Sequence, residues 1–146
     1  MLSEKGGALE QMIKPIKYGL GAPLGSGKQW QSWIHIKDMV RLYSYLLKNE
    51  LTGVYNAVSP NPVTNKKMTQ VLASHYKKSL WLPNVPQFMI KLLLGEMGSI
   101  ALESQLVSSE KIVKDGFQFQ FVNLETAIED LLGPRDLNAT EFASKY

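Results

Sequence analysis

Five residues in one short stretch have side chains suited to holding a small molecule: Gln29, Trp30, Gln31, Trp33 and His35. Indoles offer flat apolar walls with one N–H donor each, amides donate and accept, and an imidazole adds a titratable nitrogen. Glycines at 21, 25 and 27 precede them, so the backbone can turn tightly and come close to a ligand or to another strand. The period of two along an extended segment puts Trp33 and His35 on one face. The chemistry this set supports is substrate binding, with no catalytic residue among the five. Neither i+2 nor i+4 from His35 is a metal-ligand type (Lys37, Met39), so no metal site is expected.

Two nearby patterns resemble nucleotide cradles and fail on their residues. Gly19-Leu-Gly21 begins a G-x-G-x-x-G run, but position 24 is Leu and no Val/Ile strand precedes it. Lys28 after Gly27 resembles a P-loop lysine, yet the first glycine of that motif falls on Ala22 and its final Ser/Thr on Gln29. A tyrosine can act as acid or base when a lysine one helical turn on lowers its pKa. Here Tyr18, Tyr43, Tyr45, Tyr55 and Tyr76 are followed at that distance by Ala22, Leu47, Asn49, Ser59 and Leu80. The chain therefore reads as carrying neither a cofactor clamp nor a proton-transfer pair.

The elements that must position the five residues alternate between strand and helix. Residues 7 to 18 read as a helix with Leu9, Met12, Ile13 and Ile16 on one face, which Pro15 kinks or ends. Trp33 to Ile36 reads as a short strand. Asp38 is the expected N-cap of a helix carrying Met39, Leu42, Tyr43, Leu46 and Leu47 to about Asn49. Gly53 resets the chain for a strand over Val54 to Val58, apolar enough to be covered on both faces as in a parallel sheet. Within it, Asn56 is expected to bond neighbouring backbone.

Thr64 or Asn65 then caps a helix bearing Met68, Val71, Leu72 and Tyr76, and Pro83 and Pro86 break the chain before an apolar helix over 87 to 94. A further helix is expected at about 97 to 105, with Glu96 as a charge at its start. Ser108 caps another, which Gly116 ends with Phe117 as the apolar contact beyond the stop. Gln118 to Phe121 alternates as a strand, and Asn123 opens a last helix through Ala127, Ile128, Leu131 and Leu132. The segment 133–146 reads as an irregular tail.

Composition narrows the function classes. The 146 residues are 45% apolar and 20% charged, ordinary globular usage for one domain's worth of chain. The net charge of +3 comes from scattered lysines. The doublets Lys66-Lys67 and Lys77-Lys78 lack the interleaved aromatics of a nucleic-acid patch, so no nucleic acid is expected. Phe88 to Leu94 is far short of the ~20 residues that span a bilayer, so no membrane is expected either. Zero cysteines and an N-terminus without a signal-peptide pattern suit a cytoplasmic location.

Several short motifs, in order, give the chain a family likeness. Gly6-Gly-Ala-Leu9, Leu24-Gly-Ser-Gly-Lys-Gln-Trp30, Trp33-Ile-His-Ile-Lys-Asp38, Gly53-Val-Tyr-Asn-Ala-Val-Ser-Pro60, Pro62-Val-Thr-Asn65, Leu94-Gly-Glu96 and Gly116-Phe117 resemble the nucleoside-diphosphate-sugar epimerase-like branch of the extended (atypical) short-chain dehydrogenase/reductases. The resemblance implies an α/β fold: the C-terminal part of a Rossmann-type NAD(P)-binding fold, with few strands and a mainly helical substrate-side subdomain. Its expected extent is 1–132, divided into a sheet-completing segment of about 1–62 and a helical subdomain of about 63–132.

An intact protein of that family binds NAD or NADP, moves a hydride, and buries its substrate against this part. The implied partners are an N-terminal nucleotide-binding half, a small-molecule substrate such as a nucleotide sugar, and a second copy pairing with the open strand. Better-known sugar-nucleotide epimerases carry a basic residue where Gln31 stands, and an amide gives neither charge nor a bidentate fork. The alternative reading is a non-catalytic binding or interaction module that retains part of the fold.

Overall fold

The computed structural model describes residues 1–3, 7–94 and 102–133. The expected helix at 97–105 with Glu96, and the expected tail, fall largely or wholly outside the described residues.

Helix stops written into the sequence set the architecture. Helix α1 (Gly7–Lys17) buries Leu9, Ile13 and Ile16 and carries Pro15 inside its last turn. It closes when Gly19, at φ 73°, lets Leu20 N donate back to Pro15 O and its own N donate to Ile16 O, the left-handed stop that only glycine makes without cost. Strand β1 (Trp30–Gln31) follows, then α2 (Ile36–Lys48), strand β2 (Val63–Thr64), α3 (Asn65–His75), α4 (Gln87–Leu94), α5 (Glu110–Lys114) and α6 (Leu124–Leu132). Strands β1 and β2 pair antiparallel, Trp30 opposite Thr64 and Gln31 opposite Val63.

Helix α3 is central. It packs against α1 and α6, with Leu72 and Ala127 fully enclosed and Trp33, Phe121 and Ile128 in the same core. Thr64 caps it by accepting from Lys67 N. A smaller cluster lies under α2, where Leu42, Ile112 and Phe117 are buried and Tyr45, Leu46, Tyr55 and Phe119 pack around them. Helix α5 stops as expected: Phe117 N reaches Ile112 O, Gly116 N reaches Val113 O, and Phe117 meets Ile112 in that cluster. Position 109 is the geometric cap of α5, while the Ser108 hydroxyl accepts from Glu110 N.

The strands depart from expectation. Residues 33–36 form a single parallel bridge, Leu2 to His35, and the paired strand lies earlier, at Trp30–Gln31. Residues 54–58 and 118–121 are in no strand. At 118–121 the cause is visible: the backbone donors of Gln120 and Phe121 go to the Asp38 carboxylate instead of to a neighbouring strand. At 54–58 no described strand pairs with the run, and Val58 N turns back onto Asn56 O instead of onto a neighbouring strand. Asn56 behaves as read, its Nδ2 donating to Ser108 O at 3.0 Å.

Candidate functional site

The glycine loop 21–27 is closed on itself. Gly25 and Gly27 sit at φ 55° and 69°, and a Cβ on Gly25 would lie 2.8 Å from Leu102 Cδ2. The close approach these glycines permit is to the chain's own packing. Three of the loop's backbone donors and the one after it are also spent: Leu24 N on Asn65 Oδ1, Gly25 N on Val85 O, Gly27 N on Leu24 O and Lys28 N on Ser26 Oγ. A phosphate cradle needs such N–H groups free and convergent, and these four are not free.

Gln29 acts inside the loop. It is buried, its Nε2 donates to Leu24 O at 2.9 Å, and its backbone oxygen accepts from Asn65 N. Trp30 and Gln31 follow on β1. Trp30 is 41% exposed, held by its N–H donating to Ser104 Oγ and its carbonyl accepting from Gln105 N. Gln31 is half-buried, bridged in parallel to Gln105, and its Oε1 is enclosed with no hydrogen-bond donor among the described residues. A buried amide oxygen without a donor costs free energy until something donates to it.

Trp33 and His35 point into the interior. Trp33 is 2% exposed, and its Nε1 donates to Asn61 O at 2.8 Å. His35 is fully enclosed and stacks on Phe121, ring centroids 3.9 Å apart. Its Nδ1 accepts from Lys37 N, which makes His35 the N-cap of α2. Asp38, expected to hold that position, lies in the first helical turn, and its carboxylate accepts from Gln120 N, Phe121 N and Arg41 Nη1 at 2.9, 2.8 and 2.6 Å. The cap passes to histidine because the chain is still extended at 35, while Asp38 is drawn inward to satisfy the 120–121 backbone.

His35 Nε2 lies 3.2 Å from Asp130 Oδ2, close enough for attraction. Lys37 Nζ holds the other Asp130 oxygen at 2.7 Å. Burial pushes the His35 pKa below its ordinary value, against the pull of Asp130. The imidazole is thus the neutral cap joining α2 to α6.

The structure therefore separates the five residues. Trp30 and the edge of Gln31 reach the surface beside Ser104 and Gln105, while Gln29, Trp33 and His35 hold the loop, β1 and α2 in place from inside. Sequence reasoning missed Asp38 as a clasp, Asn65 as the loop's anchor and Ser104 as the partner of Trp30. The Pro62-Val-Thr-Asn65 motif was the available signal for Asn65. A shallow groove of about 460 Å³ lies elsewhere, lined by Val40, Arg41, Tyr45, Lys48 and Phe117 among others, and it includes none of the five. Among the described residues no three metal-ligand side chains cluster, and no helix is long and apolar enough to cross a membrane.

Comparison with known proteins shows what the chain is similar to. Residues 3–58 match the NAD dependent epimerase/dehydratase family, and residues 85–131 match a domain of unknown function, DUF1731. Epimerase family protein SA0724 of Staphylococcus aureus N315 is 40% identical over 135 residues, 90% of this chain and 44% of that protein. Epimerase family protein YfhF of Bacillus subtilis is 38% identical over 136 residues, 92% of this chain and again 44% of the relative. The chain thus spans less than half the length of the curated relatives it matches. Among solved structures, human epimerase family protein SDR39U1 (isoform 2), crystallised with NADPH, superposes with a TM-score of 0.82 at 31% identity, covering 89% of this chain and 44% of that one. The nucleoside-diphosphate sugar epimerase from Corynebacterium glutamicum gives 0.67 at 29% identity, over 90% of this chain and 24% of that one.

Proposed function

Because this chain belongs to the epimerase family within the extended short-chain dehydrogenase/reductases, we propose that it is the substrate-side, C-terminal part of an NAD(P)-dependent epimerase or oxidoreductase. On this reading it does no chemistry alone. The cofactor and the proton-transfer tyrosine belong to an N-terminal half that this chain does not contain. The single observation that carries the reading is the glycine loop: it occupies the family's place before the Trp-Ile-His motif, yet every one of its donors named above is used internally. It shapes a wall and leaves cofactor binding to other residues.

The substrate contacts are proposed at Trp30 and Gln31. The half-exposed indole offers a flat wall for a sugar or base ring, and the solvent-reaching edge of Gln31 borders it. Gln29, Trp33 and His35 contribute by fixing that wall. Residues 1–62 complete the sheet side and 63–132 cover the substrate. A nucleotide sugar fits this set if its diphosphate is held by other residues, such as Lys28, since Gln31 brings no charge.

The test is calorimetry with NADPH and NADH. The isolated chain is expected to give no saturable heat at micromolar cofactor, and the chain joined to the N-terminal half of YfhF is expected to bind. Saturable binding by the isolated chain would overturn the proposal.

A further inference from the structure

The carboxylates of this chain are unevenly placed. Residues 11–37 carry four lysines and residues 51–95 carry five, and neither span contains an Asp or Glu. The fold brings the two spans together where α1 and α3 end. Trp81 Nε1 donates to Gly19 O at 3.1 Å, Lys17 Nζ lies over the Tyr76 ring, and a Cβ on Gly21 would meet Leu80 Cδ2 at 3.2 Å. On the outside of this junction Tyr18, Leu20 and Trp81 are 82%, 56% and 71% exposed. Lys17, Lys77 and Lys78, next to them in the chain, are exposed as well. Glu10, the one carboxylate of α1, is paired with Lys14.

Lys77 adds an independent observation. Its N–H donates to Ser74 O and that of Lys78 to Ala73 O, the two bonds of a helix stop whose left-handed residue is ordinarily glycine. The chain does use Gly19 and Gly116 at the ends of α1 and α5, but at the end of α3 the left-handed residue is Lys77, at φ 52°. A side chain is disfavoured in that conformation, so the stop by itself does not call for lysine. A residue held against its backbone preference points to a use for its side chain, and what position 77 keeps is a cation on the surface.

Exposed indole and phenol rings beside an aliphatic side chain and lysines match the head-group layer of a bilayer, where amphipathic rings sit at the boundary and ammonium groups meet phosphates. The apolar member decides among polyanions. Leu20 has no π face on which a base could stack, and it is stabilised only by leaving water. We propose that Tyr18, Leu20 and Trp81, with Lys17, Lys77 and Lys78, form a peripheral docking surface for an anionic phospholipid bilayer. Nothing crosses the membrane, since no described helix is long and apolar enough. Neither Trp30 nor Gln31 takes part, so the surface stands apart from the substrate reading above.

The test is sedimentation with vesicles of phosphatidylcholine alone and of phosphatidylcholine mixed with phosphatidylglycerol. The chain is expected to sediment with the mixed vesicles, to be released by molar salt, and to stay in solution with phosphatidylcholine alone. Lys77→Gly is expected to weaken binding about fivefold, the contribution of one lysine near an anionic surface, and Trp81→Ala at least as much. Lys77→Gly also relieves the left-handed strain, so its melting temperature is expected to equal or exceed that of the parent, and weaker binding cannot then come from unfolding. Lys48→Gln, which removes the same charge from α2, is expected to keep its binding.

Equal weakening by Lys48→Gln and Lys77→Gly overturns the surface, because net charge alone would then be at work. So does equal binding to both vesicle types, or binding to neither. Should an oligonucleotide or polyglutamate bind through Lys77 while the mixed vesicles do not, the partner is another polyanion and the bilayer is overturned. The same sedimentation is run on the chain joined to the N-terminal half of YfhF, and this carries the test if the chain alone lacks a cooperative melt. Loss of vesicle binding in the joined protein means that the face is covered there, and also overturns the proposal.

Discussion

The core around α3 and the patch around α2 are built from the same kinds of residue and finished to different degrees. Around α3, two other helices close over Leu72, and Trp33, Phe121 and Leu2 belong to the same core. Around α2, three buried residues anchor a ring of half-buried aromatics, and an equally apolar stripe on the same helix faces outward. The difference teaches where this polypeptide satisfies itself and where its hydrophobic pattern is written for something else. Polar groups follow suit. His35 and Asp38 stand at the boundary, His35 capping α2 and stacking on Phe121 and Asp38 spending its acceptors on the 120–121 backbone.

The sharpest way to break the comparison is to remove the boundary's largest side chain. Trp33→Ala is expected to cost roughly 3–5 kcal/mol, the range for deleting a buried aromatic, with the indole bond to Asn61 O lost as well. Chemical denaturation of the chain measures it. A loss below about 1 kcal/mol would mean that Trp33 is a replaceable surface wall, and the finished core would then stop short of β1.

Asp38 tests the polar half of the boundary. Asp38→Ala leaves the N–H groups of Gln120 and Phe121 without their acceptor. At about 1–3 kcal/mol for a buried unsatisfied group, with the Phe121 N–H the fully buried one of the two, the expected loss is about 1–3 kcal/mol. Asp38→Asn keeps one acceptor and is expected to fall between the variant and the parent. If both variants melt with the parent, the 118–121 segment is held by Phe117 and Phe121 packing alone.

These two residues also mark what was legible in the sequence. The helices were, because their starts and stops are local: Thr64 with Lys67 and Gly116 with Phe117 act within one turn of chain. Strands at 54–58 and 118–121 were not, because pairing depends on partners far along the chain. The first has none among the described residues, and the second gives its donors to Asp38, 82 and 83 positions away. The candidate site was half legible. Residue types at 29–35 marked the stretch, but period-two reasoning gave Trp33 and His35 a shared face without saying that the face is inward. Asp38 was mistaken for a cap because aspartate at a helix start is usually local, and no local pattern announces a carboxylate meant for a distant backbone.

A smaller effect is expected from pH. Burial holds the folded-state pKa of His35 below its unfolded value near 6.5, so the unfolded chain takes up the proton first as pH falls. The stability contributed by neutral His35 is therefore complete above pH 6.5. It declines as pH drops below that value toward the folded pKa, where protonation also removes the Nδ1 acceptor from Lys37 N. Asp130, Lys37 and Asp38 are the charged groups that act on the ring. His35→Asn, which retains a capping acceptor, is expected to flatten the decline between pH 6.5 and 5 in urea titrations. A decline that survives in His35→Asn assigns it to groups other than His35.

The smallest expected change sharpens the comparison most, because it separates two leucines five positions apart on one helix. Leu47 is 79% exposed and Leu42 is 2% exposed. A surface substitution away from caps and cores stays within about 0.5 kcal/mol, so Leu47→Asp is expected to leave the melt of the isolated chain nearly unmoved. It places a carboxylate in water and gives up no buried contact. Leu42→Asp puts the same charge among Ile112 and Phe117, where burying an unpaired carboxylate is costly, and is expected to unfold the α2 side. The two variants have identical composition and net charge, so position on the helix is the one difference between them. A substantial loss from Leu47→Asp in the isolated chain would show that the outward stripe is already covered there, by a second copy or by the chain itself, and the distinction between a finished and an unfinished side of α2 would go with it.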